Sequence, residues 1–180
     1  MTLEHKFCTG PQDVTVTDGQ VISGYASLFG KSDQGGDIVD AGAYRISLSK
    51  GRRIKMLWQH DPSQPIGVWD EVVEDARGLW VKGRLLTDIA RAREAASLIA
   101  AGAIDGLSIG YRTVRAHKDD AGARRLSELD LWEVSLVTFP MLPDARVTAK
   151  AEARDAGDLH RLARAFQEAR CLLHPLSPRP

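Results

Sequence analysis

The chain has little cysteine: Cys8 and Cys171 stand near opposite ends of 180 residues and match neither a metal-ligand spacing nor a redox pair. That usage argues against a disulfide scaffold and fits a reducing compartment. Net charge is lacking too, because 24 basic and 24 acidic side chains cancel. Without a global field, neither nucleic acid nor an anionic membrane is an expected partner. No run approaches the ~18 apolar residues that would span a bilayer, and the opening Met-Thr-Leu-Glu-His-Lys carries no apolar signal core. The expectation is a soluble cytoplasmic protein. At this length the chain makes one ordinary domain, burying roughly two-thirds of the surface its unfolded form exposes.

What is present reads mostly as strands. Val14 to Phe29 alternates polar and β-branched residues around Asp18-Gly19, predicting two short strands and a tight turn. Lys31 to Asp40, rich in glycine and aspartate, predicts a loop; Asp33, Asp37 and Asp40 lack the alternating ligands of a calcium loop, and no residue is assigned to a metal or cofactor. Ala41 to Ser49 has room for one helical turn or two. Ile54 to His60 predicts a strand ended by Pro62, with Ile54, Met56, Trp58 and His60 sharing a face.

Ile66 to Val73 and Gly78 to Leu86 read as a hairpin around Glu74 to Arg77, with Leu79, Val81 and Leu85 inward. Thr87-Asp88 supplies an N-cap, Ile89 to Ala101 a helix, and Gly102 its C-cap. A strand runs on from Ser108, the polar run His117 to Arg125 predicts a loop, and Leu126 to Phe139 predicts a central strand, apolar on both faces. From Ala151 the composition shifts, and Asp155 to Leu173 reads as a charged amphipathic helix before a proline-rich tail. The domain expectation is therefore 1–150, with 151–180 as an appended docking or removable segment.

The candidate chemistry centres on Gly106-Leu107-Ser108-Ile109-Gly110-Tyr111. A serine between glycines leaves room for a substrate carbonyl and turns backbone N–H groups toward an oxyanion. The G-x-S-x-G spacing matches the elbow of α/β-hydrolases, but that elbow needs a strand before the serine and a helix after it, and here the order is reversed. His60 is the candidate base. On the long strand, Glu133 and Asp130 are carboxylates that each need a cation or donor if buried. Arg112 is the structural partner for either; His60 is the catalytic one, because an acid would hold it in the tautomer that accepts a serine proton.

Four stretches carry a resemblance: Gly24-Tyr25-Ala26 to Phe29 with Asp37-Ile38-Val39 and Gly42-Ala43-Tyr44; Met56-Leu57-Trp58-Gln59-His60-Asp61 with Pro65-Ile66-Gly67; the Ser108 motif; and Leu131-Trp132-Glu133-Val134-Ser135-Leu136-Val137-Thr138-Phe139-Pro140. In this order they resemble the tailed-phage prohead protease family, capsid-maturation enzymes related to the herpesvirus maturational proteases. The resemblance implies a mainly β, α+β fold, a compact β-barrel flanked by helices. It implies a serine endopeptidase with nucleophile Ser108 and base His60. In the herpesvirus enzymes the third member is a second histidine; here His117 falls in the polar run, so an acid substitutes, Glu133 first and Asp130 as the alternative. Oxyanion donors would come from N–H groups near Ser108 or from the Pro143 to Val147 turn. By the same likeness the partners are the major capsid protein with its scaffold segment, and the protease itself by autoprocessing or self-association, inside the immature shell of a phage, prophage or gene-transfer particle. A non-catalytic assembly scaffold on the same fold is the alternative. A small esterase using the G-x-S-x-G motif is disfavoured by the missing βαβ alternation and by a histidine that precedes the serine.

Overall fold

The computed structural model describes residues 4–7, 15–17, 20–33 and 35–138. Along these the elements are β1 (Glu4–Phe7), β2 (Thr15–Thr17), β3 (Val21–Leu28), β4 (Asp37–Val39), α1 (Arg45–Ser49), β5 (Lys55–Trp58), β6 (Asp61–Glu74), β7 (Gly78–Leu85), α2 (Ala90–Ala100), β8 (Gly106–Lys118) and β9 (Arg124–Val137). All lie in the first of two units, Met1–Ala149. The helix and tail expected at 151–180, the Pro143 to Val147 turn and both cysteines lie outside the described residues.

The fold is mainly β with flanking helices, a single sheet curled into a half-barrel. Its order is β1-β8-β9-β5-β6-β7-β3-β2, with β4 also on β9. β9 is the spine: β8 runs antiparallel along one side, while β4 and β5 lie parallel to successive parts of the other. A strand enclosed on both edges is apolar at most of its buried positions, and Leu126, Leu129, Leu131, Val134, Leu136 and Val137 are all buried, with Glu133 and Ser135 the buried polar residues of the strand. Tyr44, Met56, Ile66, Leu79, Ile99 and Tyr111 fill the interior around them.

The helices close the sheet. Ala92, Ala95 and Ile99 of α2 recur on one face and are buried, as a half-exposed helix requires. Its end is a Schellman motif: Gly102 at φ +70° donates to Ile99 O and Ala103 donates to Leu98 O. Its start differs from expectation. The N-cap is Ile89 without a side-chain cap, because the Ile89 N–H closes a turn onto Leu86 O at 2.8 Å and moves the helix start past Asp88. The Arg93 guanidinium holds the preceding strap by donating to Thr87 O and Asp88 O.

Three further expectations change. The 31–40 stretch is not all loop, since Asp37–Val39 pairs with β9, and two of its aspartates meet cations, Arg124 bonding Asp37 at 2.9 Å and Arg125 bonding Asp40, while Asp33 Oδ1 accepts the Asp37 N–H at 2.8 Å. The loop expected over 117–125 is shorter than that, for β8 and β9 pair as far as Lys118 and Arg124 and leave a turn over 119–123 ordered by Asp119, whose Oδ1 accepts N–H bonds from Ala121 and Ala123. Pro62 does not end a strand either; β6 begins at Asp61 and contains both Pro62 and Pro65, at irregular pairing with β5 where the missing proline donor is tolerated.

Candidate active site

His60 does not continue the β5 alternation. Trp58 and Asp61 are paired residues of β5 and β6, so Gln59-His60 is a two-residue hairpin loop, with φ +52° and +62°. Two left-handed residues match the twist of a hairpin, but the positions favour Asn and Gly, and each side chain with a Cβ costs about 1–2 kcal/mol there. Neighbouring groups hold the conformation. The Gln59 N–H donates to Leu136 O at 2.9 Å, the Gln59 amide to Thr138 Oγ1 at 2.6 Å, and the His60 N–H to Ser135 Oγ at 3.2 Å. Backbone strain of this kind persists where the surroundings over-determine it, commonly at functional sites.

The turn delivers the imidazole to Ser108. Nε2 lies 2.6 Å from Ser108 Oγ, and Nδ1 lies 2.5 Å from Glu133 Oε1. Ser108 sits within β8, paired with Ser135 of β9 and Phe7 of β1, and is fully buried. A serine inside a ladder is not at a strand-to-helix elbow, so the G-x-S-x-G match to the α/β-hydrolase motif is coincidental. Gly110 has a different use from the one its spacing suggested. It faces Glu133 across the ladder, and a Cβ there would overlap the carboxylate. The glycine gives Glu133 its space.

Glu133 is 3% exposed, a costly place for a carboxylate without donors. It has them on both oxygens: the imidazole on Oε1 and the Ser135 hydroxyl, 2.6 Å away, on Oε2. An ionised carboxylate only accepts, so this arrangement assigns the Nδ1 proton to the bond with Glu133 and leaves Nε2 to accept from the Ser108 hydroxyl. Ser135 was missed as a site residue in the sequence. Its position two residues after Glu133 on one strand was the available signal, since period-two spacing puts both on one side.

The other candidates lie elsewhere. Asp130 does not meet His60: it accepts from the Arg52 guanidinium at 3.0 Å and the Trp132 indole at 2.9 Å, with Lys50 at 3.6 Å. Burial alone would raise its carboxyl, but the Arg52 and Trp132 hydrogen bonds and the Lys50 charge outweigh that and hold it below its ordinary value. Arg112 pairs with neither acid among the described residues; its guanidinium stacks on Trp132 at 4.4 Å, with Arg52 stacked on the same ring at 4.0 Å. Asp61, next to His60, is held low by the Ser63 hydroxyl and N–H and by the Gln64 amide, which commits it to the start of β6. His117 lies exposed at the far end of β8, opposite Arg125. Among the described residues no group of three or more His, Cys, Asp or Glu side chains is arranged to hold a metal ion, and no helix is long and apolar enough to cross a membrane.

The chain matches the caudovirus prohead serine protease family over residues 10–159. It is 32% identical over 136 residues to the prohead protease of Enterobacteria phage HK97, covering 72% of this chain and 59% of that protein. To the prohead protease of Escherichia phage T5 it is 31% identical over 130 residues, 69% of this chain and 60% of that one. The chain thus spans less than two-thirds of the length of either relative. Bacteriophage T4 gp21, a capsid assembly protease, superposes with a TM-score of 0.62 over 77% of this chain and 98% of its own, at 14% identity, which shows a shared fold. With the matched segment enclosing β2 to β9 and the turn, strand and carboxylate just described, the chain belongs to the caudovirus prohead serine protease family.

Proposed function

We propose that this chain is a serine endopeptidase of capsid maturation. The observation that carries the reading is the continuous hydrogen-bonded line from the Ser108 hydroxyl through both nitrogens of His60 to the Glu133 carboxylate. Ser108 Oγ attacks a peptide carbonyl carbon while Nε2 takes its proton; Glu133 stabilises the imidazolium; collapse of the tetrahedral intermediate expels the amine, which takes the proton from Nε2. Water then repeats the sequence on the acyl-enzyme, releasing the acid and restoring Ser108.

The strained His60 turn and the buried carboxylate both lower stability, and a purely scaffolding protein would gain nothing from keeping either. That asymmetry favours the enzyme over the non-catalytic alternative. Family membership and the prohead proteases it resembles support, as substrate, the scaffold segment of the major capsid protein inside the immature shell, together with the chain itself. The charged segment 151–180 is then a docking or self-cleaved tail, whose deletion abolishes incorporation into proheads if it docks.

Intact mass of the wild type beside Ser108→Ala tests the catalytic reading. Shortening of the wild type with an intact variant is the expected result. If both stay whole even with the capsid precursor supplied, the peptidase reading fails.

A further inference from the structure

We propose that Ser135 is a positioning residue of this site, fastening the Glu133 carboxylate and the His60 backbone to each other through one buried hydroxyl. The inference rests on the peptidase reading above for its kinetic consequence, but its structural content does not.

Ser135 is fully buried on β9, between Val134 and Leu136, both also buried. A hydroxyl has one proton and two lone pairs, and here both kinds of capacity are used. The proton goes to Glu133 Oε2 at 2.6 Å, and a lone pair takes the His60 N–H at 3.2 Å. The donor direction is unambiguous, because a carboxylate cannot donate and a backbone N–H cannot accept.

These two bonds close a ring with the imidazole contact. From Glu133 Oε1 the path runs to His60 Nδ1, through the residue to its N–H, on to Ser135 Oγ, and back to Oε2. The closure has a geometric consequence. The terminal torsion of a glutamate is broad and two-fold, so a single bond at Oε1 leaves the carboxylate plane poorly defined. A second bond at Oε2 sets the plane, and with it the direction in which Oε1 presents itself to Nδ1. The same hydroxyl holds the N–H of a residue at φ +62°, where the backbone would otherwise relax toward an ordinary conformation and swing the ring off Ser108. Ser135 therefore positions both partners at once, without touching the reacting atoms.

The test uses the full chain with Ser135→Ala and Ser135→Thr, the latter keeping the hydroxyl. Three readouts are compared: the low-field proton resonance of the imidazole N–H bonded to Glu133, kcat and KM on a capsid-precursor peptide, and thermal unfolding. Ser135→Ala is expected to move or broaden the low-field resonance and lower kcat about 10- to 100-fold, the scale of a misplaced catalytic group, with KM within about twofold. Ser135→Thr is expected to recover most of that loss. Should Ser135→Ala not fold, Ser135→Cys, which leaves no cavity and offers only a weak donor, carries the same comparison. A wild-type resonance and kcat in the variant lacking the hydroxyl would overturn the proposal, as would equal losses of kcat in the Ala and Thr variants. If the wild type cleaves nothing, the peptidase reading fails while the resonance still decides whether Ser135 orients the His60–Glu133 pair.

Discussion

Ser108 and Glu133 come from β8 and β9 and His60 from the turn between β5 and β6, so each side chain can be removed with little change to the others' backbone. Ser108→Ala and His60→Ala are each expected to abolish cleavage, by roughly 10³-fold or more, with unfolding temperatures near wild type; peptide cleavage and a melting curve check both. Glu133→Gln keeps the volume but substitutes an amide for the carboxylate that faces Nδ1, so a loss on the order of 10²–10⁴-fold in kcat is expected with the protein folded. Gly110→Ala differs in kind. Its methyl group would occupy the space of the Glu133 carboxylate, so it should lose activity and also about 1–3 kcal/mol of stability, read by chemical denaturation. Ser108 was visible from its motif and His60 from its stretch. The reason for Gly110 was not, because a strand partner's side chain is invisible to local spacing.

Among the elements, the hairpins and α2 were readable because alternation, turn residues and a terminal glycine all favoured the same structure, and β6–β7 pairs as expected with Leu79, Val81 and Leu85 buried. The Gln59-His60 turn was not, since neither residue is a turn signal and the left-handed conformation is imposed by bonds to β9 and to Thr138. Two substitutions weigh these cases against each other. Gln59→Gly relieves the φ +52° penalty and is expected to raise stability by up to about 1 kcal/mol, offset by loss of the amide bond to Thr138, while Gly102→Ala at φ +70° is expected to lower it by about 1 kcal/mol. Urea unfolding of the two variants gives both signs.

For the whole molecule the acid limit of stability follows from carboxylates that folding holds below their ordinary value of 3.8, Asp130 by Arg52, Trp132 and Lys50 against its burial, and Asp75 chiefly by the Tyr25 hydroxyl. A lowered folded value means these groups contribute stability that is fully present above the unfolded value and is lost as pH falls through the folded one. Stability should therefore decline below about pH 4, and Asp130→Asn should flatten that decline; unfolding free energy measured from pH 6 to pH 2 checks it. At this scale the division between sequence and structure is clear. Composition, strand periods and the four ordered stretches were enough to set the mainly β architecture, the family, and Ser108 and His60 as the residues to examine. Which acid meets His60, why Gly110 is a glycine and what Ser135 does depend on register between β5, β8 and β9, and on a two-residue turn that carries the imidazole across the sheet. Periodicity reports which face a side chain takes, whereas the partner across the ladder is chosen by pairing between strands as distant in sequence as β5 and β9, which join Lys55 to Glu133, where no local preference reaches.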